Sequence, residues 1–210
     1  CQNALGLYQS RYLEKPDDKN PVVAPPLRLF DCSLVTDGAA GLILTTTERA
    51  EKLQEQVVEI SGLGHATDYL ELGKRSNSEF VAGKQAIQQA YKQAGITSED
   101  LDFAEVHDCF TIAEILAYEA LGLAEDGEGP QLLEDGTVEI GGKTPVNASG
   151  GLKAKGHPVG ATGVSMAVLA ARQLLNDSIG RQVEEATTGI TFNIGGSSAS
   201  NYALVFNRVK

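Results

Sequence analysis

The chain has 210 residues, 42% hydrophobic and 21% charged, so it is long enough to bury one substantial core or two small ones. Its formal net charge of −11 argues against nucleic acid or an anionic membrane surface as a partner, because both attract basic faces. No apolar run is long enough to span a bilayer, and three cysteines without a framework of spacings indicate free thiols in a reducing compartment, cytoplasmic or organellar.

The first part of the chain, residues 1–55, is predicted to differ from residues 56–210. The chain starts with Cys1 rather than Met, so we expect it to begin after the translation start. Residues 1–27 hold four of the seven prolines and several charges, which is typical of a surface loop. These features predict that the first part is a loop region rather than a folded unit of its own.

An apolar run follows within the first part. After a short strand and a turn at Asp37–Gly38, the residues Leu42, Ile43 and Leu44 predict a buried strand. The charged stretch ERAEKLQEQ then marks the boundary between the two parts. A faint echo between DGAAGLILTT here and GGSSASNYALVF near the end fits a fold made of two related halves.

The second part alternates strand and helix patterns. VVEISGLG predicts a strand, and Ser76 with Glu79 forms a possible capping box for a helix that Gly95 ends. DFAEVHD predicts another strand, and Thr111 with Glu114 a second capping box, for a helix from Ile112 to about residue 121.

The remaining residues complete the same alternation. Residues 124–145 are acidic and glycine-rich, which predicts a long loop, and a small-residue helix is expected from Val164 to about Leu175. ITFNIGG and YALVF predict two adjacent strands at the end. This alternation predicts an α/β fold, and periodicity alone leaves its topology open.

His107 and Cys109 form the first candidate pair. Residues two apart in an extended segment point to one face, so imidazole and thiol can share a pocket. Cys109 also precedes the predicted helix start, where the helix dipole favours a thiolate and a lowered pKa. The residue types alone leave two alternatives open, a catalytic pair or a buried cysteine beside a hydrogen-bonded histidine.

Two glycine-rich stretches are further candidates. NASGGLKAKGHPVGATG, residues 147–163, has five glycines and holds His157 between a glycine and a proline before a helix start. It has neither the P-loop pattern nor the dinucleotide fingerprint. In NIGGSSAS, residues 193–200, backbone N–H groups can converge on an oxyanion, although a plain hairpin turn explains the same residues.

Other polar residues carry weaker signals. We expect His65 in a loop, Cys32 in the core, and Lys153 and Lys155 to be solvated. No set of His, Cys, Asp and Glu has convincing metal spacing, so we expect no metal site.

Together, HDCF at 107–110, the GHP stretch at 147–163 and NIGG at 193–196 resemble the thiolase superfamily. The resemblance is strongest to sterol-carrier-protein-type thiolases and to archaeal and bacterial acetyl-CoA acetyltransferases. DCSLVTDGAAGLILTT is similar to the segment that closes the N-terminal half of those enzymes, and CQNALGLYQSRY to the preceding loop. The resemblance therefore implies the C-terminal half of a thiolase-like fold, an α/β architecture with layers of helices around a mixed sheet.

The resemblance also implies roles. His157 would activate the nucleophile and help to bind the thioester oxygen, Cys109 would move a proton at the α-carbon of the second acyl-CoA, and His107 would complete an oxyanion hole with His157. The N–H of Gly195 would serve a second oxyanion hole, beside Asn193, which stands where many thiolases have a second cysteine. The remaining residues that we expect at the substrate are Gly150, Gly151 and Phe110.

The implied reaction is reversible Claisen condensation or thiolysis, with acyl-CoA and CoA as substrates and no separate cofactor. The nucleophilic cysteine of such enzymes lies in the N-terminal half, and Cys1 does not stand in its motif. We therefore expect an N-terminal half or a companion thiolase chain, in a homo-oligomer.

Two rival functions remain open. One is a steroid side-chain retro-aldolase of the same fold, which would use tyrosines such as Tyr118 or Tyr202 and a small OB-fold partner. The other is a non-catalytic scaffold subunit that stabilises an active companion chain.

Overall fold

The computed structural model describes residues 19–76 and 78–209 of the chain. Its strands and helices alternate along residues 57–209, as the sequence predicts. The strands are β1 (Val22–Ala24), β2 (Leu27–Arg28), β3 (Val58–Thr67), β4 (Phe103–Val106), β5 (Thr188–Gly195) and β6 (Ser200–Arg208). The α-helices are α1 (Thr47–Leu53), α2 (Val81–Ala94), α3 (Thr111–Leu121), α4 (Gln131–Glu134), α5 (Gly151–Lys155) and α6 (Thr162–Leu174).

The central element is a mixed four-stranded sheet in the order β3-β6-β5-β4. β3 pairs antiparallel with β6 and β6 antiparallel with β5, whereas β4 runs parallel to β5. β1 and β2 form a separate two-stranded sheet before this unit. Because β4 and β5 are parallel, both of their carboxyl ends meet at one edge of the sheet, where ligands bind in open α/β sheets.

Helices α2 and α6 cover the sheet. Two glycines of β3 face α2, and a Cβ added to Gly64 would lie only 1.7 Å from the carbonyl oxygen of Ala86, so the helix can approach this closely only over glycine. The α6 side has its own core cluster, in which Phe103 and Phe206 pack with Leu174. The sheet is therefore a middle layer between helices.

Both predicted capping boxes are wrong, although their helices exist. Helix α2 begins at Val81 without a side-chain cap, and Glu79 instead forms an ion pair with Lys84. Helix α3 begins at Thr111, again without a side-chain cap, and Glu114 accepts a hydrogen bond from Tyr118 instead. In both cases the acidic residue of the predicted pair interacts with a side chain of that helix instead.

The predicted buried strand at Leu42–Leu44 is also wrong. These residues have no strand partner, and Ile43 and Leu44 are 97% and 70% exposed. A strand needs neighbouring strands for its backbone hydrogen bonds, and the described part of the chain offers none here. The charged boundary stretch contains helix α1.

Smaller corrections follow the same pattern. His65 lies in strand β3, not in a loop, and stacks on Tyr202 of β6 with 4.3 Å between the ring centroids. Cys32 is half-buried rather than part of the core. The expected loop over 124–145 contains the short helix α4.

Residues 1–18, with most of the predicted N-terminal loop, lie outside the described residues. Among the helices described, none has the length and apolar character that a membrane crossing requires.

Candidate active site

A cavity of about 730 Å³ opens at the edge where β4 and β5 end. The end of β4, the turn between β5 and β6, and the loop before α6 each contribute to its wall. The predicted site residues that line the cavity are His107, Cys109, Phe110, His157, Asn193 and Gly195. Three motifs that are far apart in the sequence therefore share one site.

His107 follows β4 directly and is held from two sides. Its backbone N–H continues the parallel ladder by donating to the carbonyl oxygen of Phe192, at 3.0 Å, and its Nδ1 lies 2.7 Å from Oδ1 of Asn193. The residue is 8% exposed. Burial lowers the pKa of His107 to about 4; the Asn193 hydrogen bond opposes this, while His157 and Lys155 act in the same direction. His107 is therefore neutral at neutral pH.

His157 is half-buried, and its hydrogen bonds define its tautomer. Its Nδ1 lies 2.8 Å from the hydroxyl of Thr162, and that hydroxyl donates its own proton to the carbonyl oxygen of Pro158 at 3.1 Å. With the hydroxyl proton assigned to Pro158 in this way, the hydroxyl accepts from Nδ1–H and the lone pair lies on Nε2. Burial, and secondarily the charge of Lys155, lower the pKa of His157. Nε2 is thus the atom of His157 that can take a proton.

The two imidazoles are in contact. Their ring centroids are 4.8 Å apart and the ring planes meet at 89°, an edge-to-face arrangement. With Asn193 oriented as described, Nδ1–H of His107 donates to Oδ1, so Nε2 of neutral His107 is an acceptor. An oxyanion-binding His107 would need the opposite orientation of the Asn193 amide, which would place the proton on Nε2.

Cys109 lies between His107 and the start of α3, and its pKa moves in the direction opposite to our prediction. Burial raises the pKa of the Cys109 thiol to about 11, and the neighbouring Asp108 adds to the rise. The prediction of a lowered pKa was therefore wrong, because desolvation outweighs the helix dipole at this position. Cys109 is a protonated thiol at neutral pH and can donate a proton before it accepts one.

The N-terminal segment, which we define as residues 19–46, contributes no strand to the main sheet but passes across the site. The N–H of Ser33 donates to the carbonyl oxygen of Cys109 at 2.8 Å, and Val35 forms a parallel bridge with His157. Ser33 and Val35 also line the cavity. The segment therefore connects the Cys109 and His157 sides of the site.

Two of the predicted substrate-binding residues are placed elsewhere. Gly150 and Gly151 are buried, have φ of 97° and 66°, and are not among the cavity-lining residues. A Cβ on Gly151 would lie 2.1 Å from Oδ2 of Asp108, so this glycine lets the loop pass against that carboxylate. Phe110, by contrast, lines the cavity and is 45% exposed.

Sequence reasoning missed the residues that hold the histidines. Thr162, Glu105 and Asp108 are 1%, 2% and 1% exposed, and each bonds to the loop that bears His157. The expectation of solvated lysines was also wrong: Nζ of Lys153 donates to the carbonyl oxygen of Cys32 at 2.8 Å, and Lys155 faces Glu105. The available signal was two acids flanking His107 in EVHD, which a strand end rarely buries without partners.

The tyrosines of the rival aldolase reading are not at this cavity. Tyr118 is buried in α3 against Glu114, and Tyr202 lies on β6 against His65; neither is among the lining residues. Within residues 19–76 and 78–209, no three His, Cys, Asp or Glu side chains cluster in a way that could hold a metal ion.

Comparisons with known proteins identify the family of the chain. The family model described as "Thiolase C-terminal domain-like" matches residues 64–208. The acetyl-CoA acetyltransferase of Methanothermobacter thermautotrophicus is 44% identical over 188 residues, which are 89% of this chain and 49% of that protein. Sterol carrier protein 2 of Homo sapiens is 38% identical over 175 residues, 80% of this chain and 32% of that protein.

The fold has a close counterpart among solved structures. A chain of the Ltp2-ChsH2(DUF35) aldolase superimposes with a TM-score of 0.76 over 94% of this chain and 52% of that one, at 24% identity, a likeness of fold. The chain spans about half or less of the length of these relatives. The matched family model covers most of the chain, including strands β4, β5 and β6 and the end of β3. The chain belongs to the thiolase C-terminal domain-like family and has a thiolase-like fold.

Proposed function

We propose that this chain supplies the acid/base half of a thiolase-type acyltransferase that acts on acyl-CoA and CoA. The observation that supports this most directly is the convergence of His107, Cys109 and His157 on one cavity, with the two imidazoles 4.8 Å apart. The proposal is in line with the acetyl-CoA acetyltransferase that shares 44% identity with the chain.

The protonation states suit the thiolysis direction. The lone pair on Nε2 of His157 takes the proton of a nucleophilic thiol, and the resulting Nε2–H can then donate to the oxyanion that forms on the substrate carbonyl. When the carbon–carbon bond of a 3-ketoacyl-CoA breaks, the thiol of Cys109 delivers its proton to the departing enolate carbon. The acyl group remains on the nucleophilic sulfur until CoA attacks it; the CoA thiol gives its proton to the Cys109 thiolate, and the sulfur that leaves takes back the proton held by His157. In condensation the same groups act in the reverse order.

The nucleophilic cysteine is proposed to come from a companion N-terminal half, in the same polypeptide or in a partner chain. A candidate contact for such a half is the exposed apolar run Leu42–Leu44, which has no strand partner among the described residues. Exposed apolar runs of this kind favour association. We infer that the working form is an assembly of both halves, in a homo-oligomer.

The first experiment is native and denaturing mass spectrometry of the purified material, followed by thiolysis of acetoacetyl-CoA with CoA. We expect a companion chain or a longer polypeptide, and activity only in that form. His157→Asn should lower kcat by about 10²–10⁴-fold in the assembled enzyme. The control is His65→Asn, which replaces an imidazole on β3 that lies outside the cavity lining and should keep activity.

Two results would contradict the proposal. An assembled enzyme that forms and cleaves no 3-ketoacyl-CoA would remove the acyltransferase function. Full activity of the His157→Asn variant would remove the assignment of the base.

A further inference from the structure

A buried polar cluster lies beneath the two histidines. The carboxylate of Glu105, in β4, accepts from Ser149 through both the backbone N–H, at 3.0 Å, and the hydroxyl, at 2.5 Å. The ammonium of Lys155 lies 3.8 Å from the same carboxylate. The side chains of Lys155 and Glu105 are only 18% and 3% exposed.

A second carboxylate, that of Asp108, also accepts a backbone hydrogen bond from the loop that bears His157. Oδ1 of Asp108 accepts from the N–H of Leu152 at 2.7 Å, and Gly151 lies directly against its other oxygen. Upstream, the N–H of Val106 donates to Oδ1 of Asn147 at 2.8 Å. The loop from residue 147 to residue 155 is therefore fastened to the end of β4 along its length.

The ion pair is the unusual member of this cluster. Burying two charges costs several kcal/mol per ion in desolvation, and apolar residues of similar volume often serve stability as well or better. Ser149 and Leu152 already anchor the loop through uncharged groups. Stability alone thus gives no reason for an ammonium at residue 155.

The position of Lys155 in the chain gives a reason for a charged side chain there. It ends helix α5 two residues before His157, and His107 follows two residues after Glu105, so one ion pair spans the elements that carry the two imidazoles. We propose that Lys155, anchored on Glu105, is a positioning residue for the His107–His157 pair. The inference concerns the state of these histidines and rests on the proposed function only for its catalytic consequence.

The proposed effect is electrostatic as well as geometric. The positive charge of Lys155 lowers the pKa of both histidines, after burial itself. The groups in direct contact with the rings are Asn193, Thr162 and each other's ring, and none of these carries a charge while the rings are neutral. Arg75 and Glu79 are charged residues that line the same cavity, and Asp108 directly follows His107 in the chain. Lys155 thereby favours a free lone pair on Nε2 of His157.

The test is an NMR titration of the histidine C2–H resonances in the 210-residue chain, assigned with His→Asn variants. Lys155→Met should raise the titration midpoints of His107 and His157 together. Lys155→Arg, which keeps the charge, should restore the wild-type midpoints. The matched control is Lys143→Met, which removes an exposed lysine paired with Glu99 and should leave both midpoints in place.

Lys155→Gln provides a second neutral variant that can still hydrogen-bond Glu105, in case the methionine variant does not fold. Unchanged midpoints in a folded neutral variant overturn the inference. Equal midpoint shifts in Lys155→Arg and Lys155→Met also overturn it, because a merely structural role would give that result.

The catalytic consequence separates the two proposals. In an active assembly, Lys155→Met should move the acid limb of the kcat/KM profile to higher pH, since His157 must be unprotonated to act as base. If the midpoints shift but no thiolysis occurs, the inference stands and the proposed function fails. If thiolysis occurs and the midpoints do not shift, the inference alone fails.

Discussion

Similar apolar residues are buried in one region of the molecule and exposed in another. In residues 57–209, which contain the four-stranded sheet and are called the sheet unit here, Ile190, Phe192 and Val205 are 0% exposed. In the N-terminal segment, Ile43 and Leu44 are 97% and 70% exposed. Both stretches have strand-like sequences, but β5 and β6 pair with each other and the run at Leu42–Leu44 has no strand beside it. The difference shows that a strand pattern specifies a strand only where neighbouring strands are present.

The N-terminal segment nevertheless takes part in the site. Ser33 is bonded to Cys109, and Val35 is bridged to His157, so the segment is anchored at one end and unpaired beyond it. An anchored start with an apolar continuation fits a connection between two halves.

The largest contrast is expected between two cysteines. Cys109→Ala should lower kcat of the assembled enzyme by about 10²–10⁴-fold, because it removes the thiol proposed to carry the α-carbon proton. Cys32→Ala, in the N-terminal segment, removes a thiol outside the cavity lining and should keep activity. Steady-state thiolysis of acetoacetyl-CoA measures both. Equal activity of Cys109→Ala and wild type would favour the scaffold alternative.

Substitutions in the core of the sheet unit and in the N-terminal segment should also differ in their effect on the free energy of unfolding. Phe103→Ala should cost about 3–5 kcal/mol of unfolding free energy, because the ring is 0% exposed and leaves a cavity. Ile43→Ser changes a side chain that is almost fully exposed and should cost less than about 0.5 kcal/mol in the isolated chain. Urea unfolding monitored by circular dichroism measures both. A large loss in Ile43→Ser would show that this run is packed in solution.

Two glycines give a matched backbone comparison. Gly64→Ala places a methyl 1.7 Å from the carbonyl oxygen of Ala86 and should cost at least about 1–3 kcal/mol by separating β3 from α2. Gly41→Ala meets nothing within 4 Å in the N-terminal segment and should be close to neutral. The same unfolding measurement applies. Equal stability of both variants would contradict the close packing of α2 on the sheet.

Stability should also depend on pH through His107. Burial lowers the pKa of His107 from its usual value near 6.5 to about 4, so the unfolded chain binds the extra proton in this range. His107 therefore contributes stability that is lost as pH falls from about 6.5 to about 4. His107→Asn should remove this dependence, about 3 kcal/mol over the whole range. Unfolding free energies across that pH range measure it.

Asp108 is a control in which stability changes with pH in the opposite direction. Burial, and the nearby Glu114, raise the pKa of Asp108 to about 6, so its contribution is full at low pH and is lost as pH rises from about 4 to about 6. Asp108→Asn should therefore change the slope in the direction opposite to His107→Asn. Slopes of the same sign in the two variants would contradict the buried placement of this pair of residues.

The sequence by itself determined the elements whose signals are local. Gly95 ends α2 in a left-handed conformation with φ of 71°, as a glycine after a helical pattern predicts. The two final strands and the α/β alternation also follow from local periodicity. The motif residues His107, Cys109 and His157 were predicted from their order in the chain, and the fold brings them to one cavity.

Only the tertiary structure decided how those residues behave. The pKa of the Cys109 thiol depends on its burial, the tautomer of His157 on Thr162, and the burial of Lys155 on Glu105, which lies in a different element of the fold. The exposure of Leu42–Leu44 likewise depends on which strands are present beside it. Desolvation and strand pairing are properties of everything that surrounds a residue in space, so a stretch of sequence cannot specify them alone.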